Sequence, residues 1–194
     1  MAQRSNIVVM GGSIDDERLV KQFSQGDDSA FDRIVEGYSA DIGRLANRLL
    51  GWPGDVEDVV QDIFFAVFLG LKKFRGDCSL KTWLFTITVN KCRRYRYRRM
   101  LRLRAVSKAG DNIAHTAGCD RGESAMGSEA FDRVRRAVVA LPAKYQEAVV
   151  LRYLQELSTD EVSRILSISE NALQVRLSRA RRRLRQELAE LMEP

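Results

Sequence analysis

The chain has 194 residues, 45% of them apolar and 30% charged, with a net charge of +6. That composition suits one or two folded domains rather than a disordered chain. No run approaches the roughly 18 apolar residues of a membrane-spanning helix, and the start, "MAQRSNIVVMGGSIDDERL", has too short an apolar patch for a secretory leader.

The first 14 residues read as a loose tail. Helical spacing then begins in "DDERLVKQF", with Leu19, Val20 and Phe23 as one stripe. "SQGDDSA" separates it from a second helix. There Phe31, Ile34, Val35 and Tyr38 are followed by Ile42, Leu45, Ala46 and Leu49. "GWPGD" stops that helix, since glycine and proline interrupt helical backbone. A third helix starts near Asp55. Val56, Val59, Val60, Ile63, Phe64 and Val67 make its apolar face, and Asp55, Asp58 and Asp62 fall on another. The helix dipole accounts for the first two acids but fades before Asp62.

After the loop "RGDCS", Ser79 is placed to cap the helix "LKTWLFTITVNKCRRYRYRRMLRLR". Leu80, Trp83, Leu84, Ile87 and Met100 can face a core. The β-branched run "TITV" favours a strand intrinsically, so packing must hold it helical. Residues 106–128, "VSKAGDNIAHTAGCDRGESAMGS", lack periodic apolar positions and read as a flexible linker. Beyond it, Phe131, Val134, Val138 and Leu141 line one helix, and Pro142 opens the next, "AKYQEAVVLRYLQEL". "STDE" has the pattern of a capping box built on Ser158 and Glu161. A short helix, the turn "SIS" and a long last helix complete the chain.

The expected fold is therefore all-α: two small helical domains, 15–105 and 129–192, joined by the linker. The second carries a helix-turn-helix. In it Val162, Ile165 and Leu166 can pack on Leu173 and Leu177. Ile168 can plug the turn, and Ser169 can cap the recognition helix. Asn171, Gln174, Arg176, Arg179 and Arg181 are then candidates for a DNA groove or its phosphates.

Charge is unevenly spread. Residues 1–75 are net −3 and residues 76–108 net +9. Within "NKCRRYRYRRMLRLR", Asn90 to Arg104, eight of fifteen residues are basic and none is acidic. Such self-repulsion is tolerable if a polyanion neutralises it. Tyr95 and Tyr97, interleaved with arginines, can stack on unpaired bases, which suits a separated strand better than intact duplex. Packing against the bundle is an equal use for one of them. An anionic membrane fits less well, because no clean apolar stripe accompanies the arginines.

The chain shows no acid–base pair with histidine, no Ser-His-Asp set and no glycine-rich phosphate loop, so binding rather than catalysis is expected. The acids at 55–62 could be imagined as a magnesium site, but one exposed helical stripe is more simply a protein interface. Cys78, Cys92 and Cys119 have no regular spacing and His115 stands alone, so neither a disulfide framework nor a metal site is expected, and no cofactor. A free, duplex-binding regulator is the alternative; the acidic helix and the linker speak against it.

With "DVEDVVQDIFFAVF", "FRGDCSLKTWLFTITVNKCRR" and "LPAKYQEAVVLRYLQELSTDEVSRILSISENALQVRLSRARRRL" in that order, the chain resembles a bacterial RNA polymerase sigma factor. The likeness is to the extracytoplasmic-function group of the sigma-70 family, and it spans residues 17–104 and 129–188. It implies that Asp55, Asp58, Gln61, Asp62 and Phe65 dock on the clamp helices of core RNA polymerase. It implies a loop at Arg75, Asp77, Cys78 and Ser79 that captures a flipped base of the promoter minus-ten element. Trp83, Asn90, Lys91, Arg93, Arg94 and Tyr97 would hold and melt that element. Ser169, Glu170, Asn171, Gln174, Arg176 and Arg179 would read the minus-thirty-five element. The resemblance further implies a cytoplasmic protein restrained by an anti-sigma factor, in this family often membrane-anchored, which would hold it at the inner face of the membrane.

The chain departs from the family pattern at several points. Asn171 and Ala172 stand where glycine and threonine are frequent, Gln174 replaces a frequent lysine, Val175 a small polar residue and Ser178 a frequent histidine. Glutamine can contact adenine in bidentate fashion, so these changes bear on sequence preference more than on binding itself. Cys78 is unexpected in the capture loop and puts the base read there in question.

Overall fold

Apolar positions at helical period become eight α-helices and no strand among the described residues, which are 14–51, 56–108 and 129–189 of a computed structural model. The first cluster comprises α1 (Ile14–Ser24), α2 (Ser29–Leu50), α3 (Val56–Leu71) and α4 (Leu80–Lys108). The second comprises α5 (Glu129–Ala140), α6 (Ala143–Val149), α7 (Thr159–Leu166) and α8 (Glu170–Glu187). Between α6 and α7 the chain continues through a wider π turn, Val150–Leu154, closed where Gln155 N–H donates to the Val150 carbonyl at 2.9 Å. No helix among the described residues is long and apolar enough to cross a membrane.

In the first cluster Phe23, Ile34, Ile42, Leu45, Leu49, Ile63, Val67, Leu71, Leu84 and Phe85 are buried together. Fully burying each such side chain contributes about 1.5–3 kcal/mol. The run "TITV" is helical. Thr86 Oγ1 donates to the Thr82 carbonyl at 2.8 Å and Thr88 Oγ1 to the Leu84 carbonyl at 2.9 Å. Those back-bonds satisfy the hydroxyls inside the helix, and Leu84, Phe85 and Val89 pack inward beside them. Gly51 ends α2 at φ 74°, a left-handed conformation that glycine adopts without strain.

In the second cluster Val162, Ile165, Leu166, Leu173 and Leu177 are buried where the helix-turn-helix requires. The reciprocal cap at α7 is present: Ser158 Oγ accepts from Glu161 N at 3.2 Å, and Glu161 Oε2 accepts from Ser158 N at 2.8 Å. Ser167 takes φ 54° in the turn, and Ile168 is half-buried behind it. Pro142 sits one residue earlier than expected, as the cap of α6 rather than its first residue.

Three expected core residues are not in the core. Met100 is 37% exposed, Phe131 73% and Val134 42%. They sit on stretches of α4 and α5 that extend past the packed region, so that Val138 and Leu141 alone carry that stripe of α5 inward. Residues 106–108, expected as linker, continue α4. Residues 109–128, with His115 and Cys119, lie outside the described residues, as do the tail to residue 13 and residues 190–194.

The two clusters dock on each other. α7 packs along α4, and α2 meets the π turn and α5. Gln146 Nε2 donates to the Arg48 carbonyl at 3.0 Å, and the Arg48 guanidinium donates to the Leu154 carbonyl. A Cβ at Gly51 would lie 3.1 Å from Val139 Cγ1, so the backbone of α2 comes close to α5 at its end.

Candidate polymerase and nucleic-acid interface

On α3, burial of Val59, Ile63, Val67 and Leu71 turns Asp58, Gln61 and Asp62 outward. Phe65 is on the same stripe and 63% exposed. Leu69, 60% exposed and four residues further, extends it. Sequence reasoning missed Leu69, although the spacing 58, 61, 62, 65, 69 was available to find it. Phe68 differs: it is edge-on to Phe23 and Phe31, with centroids at 5.5 and 5.2 Å. Asp55 lies outside the described residues.

The loop before α4 turns at Gly76, φ 76°, with open space around it. Arg75 and Asp77 are exposed and Cys78 is half-buried. Burial raises the Cys78 thiol pKa, and the nearby Arg164 charge partly opposes that. Ser79 is buried, and its hydroxyl serves the helix. It accepts from Thr82 N at 3.2 Å and donates to Thr82 Oγ1 at 2.9 Å. Trp83 is half-buried against Phe74, with ring centroids 5.1 Å apart. Its edge also faces Gly70, where a Cβ would lie 3.1 Å from Trp83 Cζ2.

Along α4 the basic residues divide. Asn90, Arg94 and Tyr97 are exposed, and Lys91 is half-buried. Tyr95 packs against the core instead. Arg93 points toward the second cluster, where its Nε and Nη2 reach the Glu147 carboxylate at 3.1 and 2.7 Å. Arg96, which sequence reasoning did not single out, donates through Nη2 to Glu147 Oε1 at 2.6 Å and through Nη1 to Gln146 Oε1 at 2.8 Å.

On α8, Ser169 Oγ accepts from Ala172 N at 3.2 Å, capping the helix. Asn171, Gln174, Val175 and Arg179 are exposed and turned away from Leu173, Leu177 and Ala180, while exposed Glu170 and half-buried Arg176 flank that buried stripe. Arg179 also hydrogen-bonds the Tyr145 hydroxyl, which lowers that phenol's pKa. The Arg183 guanidinium lies over the Tyr145 ring, 5.5 Å from its centroid. These residues, with Arg182, Leu141 and Pro142, border an open depression of about 610 Å³ behind the recognition helix.

The family models for sigma-70 region 2 and sigma-70 region 4 match residues 34–102 and 131–184. The sigma-E factor of Escherichia coli K12, an ECF RNA polymerase sigma factor, is 31% identical over 179 residues, 89% of this chain and 93% of that one. The ECF RNA polymerase sigma factor SigW of Bacillus subtilis is 28% identical over 182 residues, 90% of this chain and 97% of its own. The solved structure of CnrH in complex with the cytosolic domain of CnrY is 28% identical, with a TM-score of 0.67 over 92% of this chain and 99% of that one. The chain belongs to the ECF group of the sigma-70 family of RNA polymerase sigma factors, which are initiation subunits and not themselves enzymes.

Proposed function

We propose that this sigma factor binds core RNA polymerase through the outward stripe of α3, directs it to particular promoters and helps to open them. The observation that carries this reading is the stripe itself. Asp58, Gln61, Asp62 and Phe65 are displayed together, and a phenylalanine 63% exposed beside carboxylates serves no packing need of the fold. By its place in the sequence Asp55, one turn before Asp58, is assigned to the same docking site.

Each promoter element has its own surface. Asn171, Gln174, Arg176 and Arg179 on α8, with Ser169 and Glu170 at its start, read the minus-thirty-five duplex. Arg75, Asp77 and Cys78 line the base-capture loop. Trp83, Asn90, Lys91, Arg93, Arg94 and Tyr97 hold the separated minus-ten strand, and Ser79 contributes by fixing the start of α4. Unstacking a base step costs a few kcal/mol, offset by stacking and by arginine–phosphate contacts. Two modest contacts on one DNA gain from tethering, because the second becomes a local event.

An anti-sigma factor is the expected restraint. Support comes from the CnrH structure, which was solved with the cytosolic domain of CnrY bound. A membrane-anchored partner of that kind would hold this chain at the inner face of the membrane.

The test is reconstitution with core polymerase and a library of duplex promoters, followed by sequencing of the transcripts. Discrete starts at a common pair of elements are expected. Asp58→Ala combined with Asp62→Ala should reduce co-purification with core polymerase; retention equal to wild type would remove α3 from the interface.

A further inference from the structure

The strand-holding face of α4 is already engaged within the chain. The Glu147 side chain is 3% exposed, and both its oxygens accept from arginines of the other cluster. A buried carboxylate is costly unless paired. Here the four donor contacts come from Arg93 and Arg96 on α4, so the domain that carries Glu147 gains nothing internal from these bonds. The guanidinium fork accepts carboxylate and phosphate in the same bidentate geometry.

A second contact covers the other end of the same equipment. Arg164 Nη1, on the first helix of the helix-turn-helix, donates to the Asp77 carbonyl of the capture loop at 3.3 Å. The front of α8 is not used in the docking: Glu170, Asn171 and Gln174 remain exposed. The docked arrangement thus meets the minus-ten surface at two places and leaves the duplex reader open.

We propose that Glu147 is an internal mimic of a DNA phosphate: an autoinhibitory contact that occupies Arg93 and Arg96 until the domains part. The inference rests on the reading of α4 as a strand-binding surface. Free protein then binds duplex through α8 but single strands only through its minor, undocked population. Apparent affinity falls in proportion to the competent fraction, so an open population of about one tenth weakens strand binding about tenfold.

The experiment uses the full chain with two single substitutions, Glu147→Gln and Gln146→Leu, which weaken the contact from the side of the second domain and leave the arginines of α4 in place. Binding of an A/T-rich single-stranded oligonucleotide is measured at fixed ionic strength, beside binding of a duplex of the same sequence. Small-angle scattering reports the separation of the domains, and circular dichroism reports the helices. Both variants should keep wild-type helicity, increase the radius of gyration and bind the single strand about tenfold more tightly, with duplex affinity unchanged. If neither variant expands, the contact does not hold the domains together and the proposal fails, while the role of α4 stands. If the chain expands without any gain for the single strand, the masking fails because α4 is not the strand-binding surface.

Discussion

Two arginine-rich helices end up in different circumstances. Six arginines lie between residues 176 and 185 of α8, and eight basic residues between 90 and 104 of α4. The Asn171 and Gln174 face of α8 is open to solvent, whereas α4 has Arg93 and Arg96 folded onto a buried glutamate of the other domain. Charge density alone therefore does not measure how much of a basic helix is available to a polyanion. What decides it is whether a neighbour offers acceptors with the right spacing.

The largest expected effect tests the scaffold under that contrast. Leu84→Ala removes a fully buried side chain from the inward face of α4 and should cost about 2–5 kcal/mol of unfolding free energy, measured by urea titration. A loss below 1 kcal/mol would mean that α4 does not depend on this packing. Next, Gln174→Ala on the open helix should cost about 1–3 kcal/mol at one promoter base pair and relax specificity there, read by binding to a set of singly substituted minus-thirty-five duplexes. Equal losses across all sequences would move Gln174 from base reading to a phosphate or packing role. Arg94→Ala, on the exposed side of α4, should weaken single-strand binding evenly across sequences and reduce the log–log salt slope by about 0.7. An unchanged slope would take Arg94 off the phosphates. The smallest effect is an absence of change on the inward side. Burial pushes the Cys92 thiol up to about 12, so it stays protonated, and slow to react, well above neutral pH. Iodoacetamide at pH 8, followed by peptide mass spectrometry, should leave Cys92 unmodified in the folded chain.

Much of this architecture was legible from residues. Ser79, Ser158 and Ser169 announced three helix starts, and the spacing from Val162 to Leu177 announced the helix-turn-helix, because caps and apolar periodicity act locally. The stripe of Asp58, Gln61, Asp62 and Phe65 was legible for the same reason. Docking between the domains was not. Its buried polar contacts are made by Gln146 and Glu147, consecutive polar residues inside "KYQEAVVL" that are both nearly sealed from solvent. Periodicity can assign a face to each, but it cannot name partners about 50 residues upstream. The one available hint was a carboxylate set among residues that read as core. Phe131 and Val134 misled in the opposite sense: an apolar stripe gives the direction of a face, not the distance to which the core extends.

The unbroken length of α4 sets a spacing that no loop could hold. Arg93 lies fourteen positions after Ser79, where the loop before α4 ends. At 1.5 Å per residue that is about 21 Å of rigid rod, close to the rise of six stacked nucleotides at about 3.4 Å each. On the proposed reading, this helix is a gauge: it fixes how many nucleotides lie between the extruded base and the first clasped phosphate. One residue inserted between Ser79 and Arg93 would rotate everything beyond it by about 100°, so the gauge would lose its alignment before it noticeably changed its length.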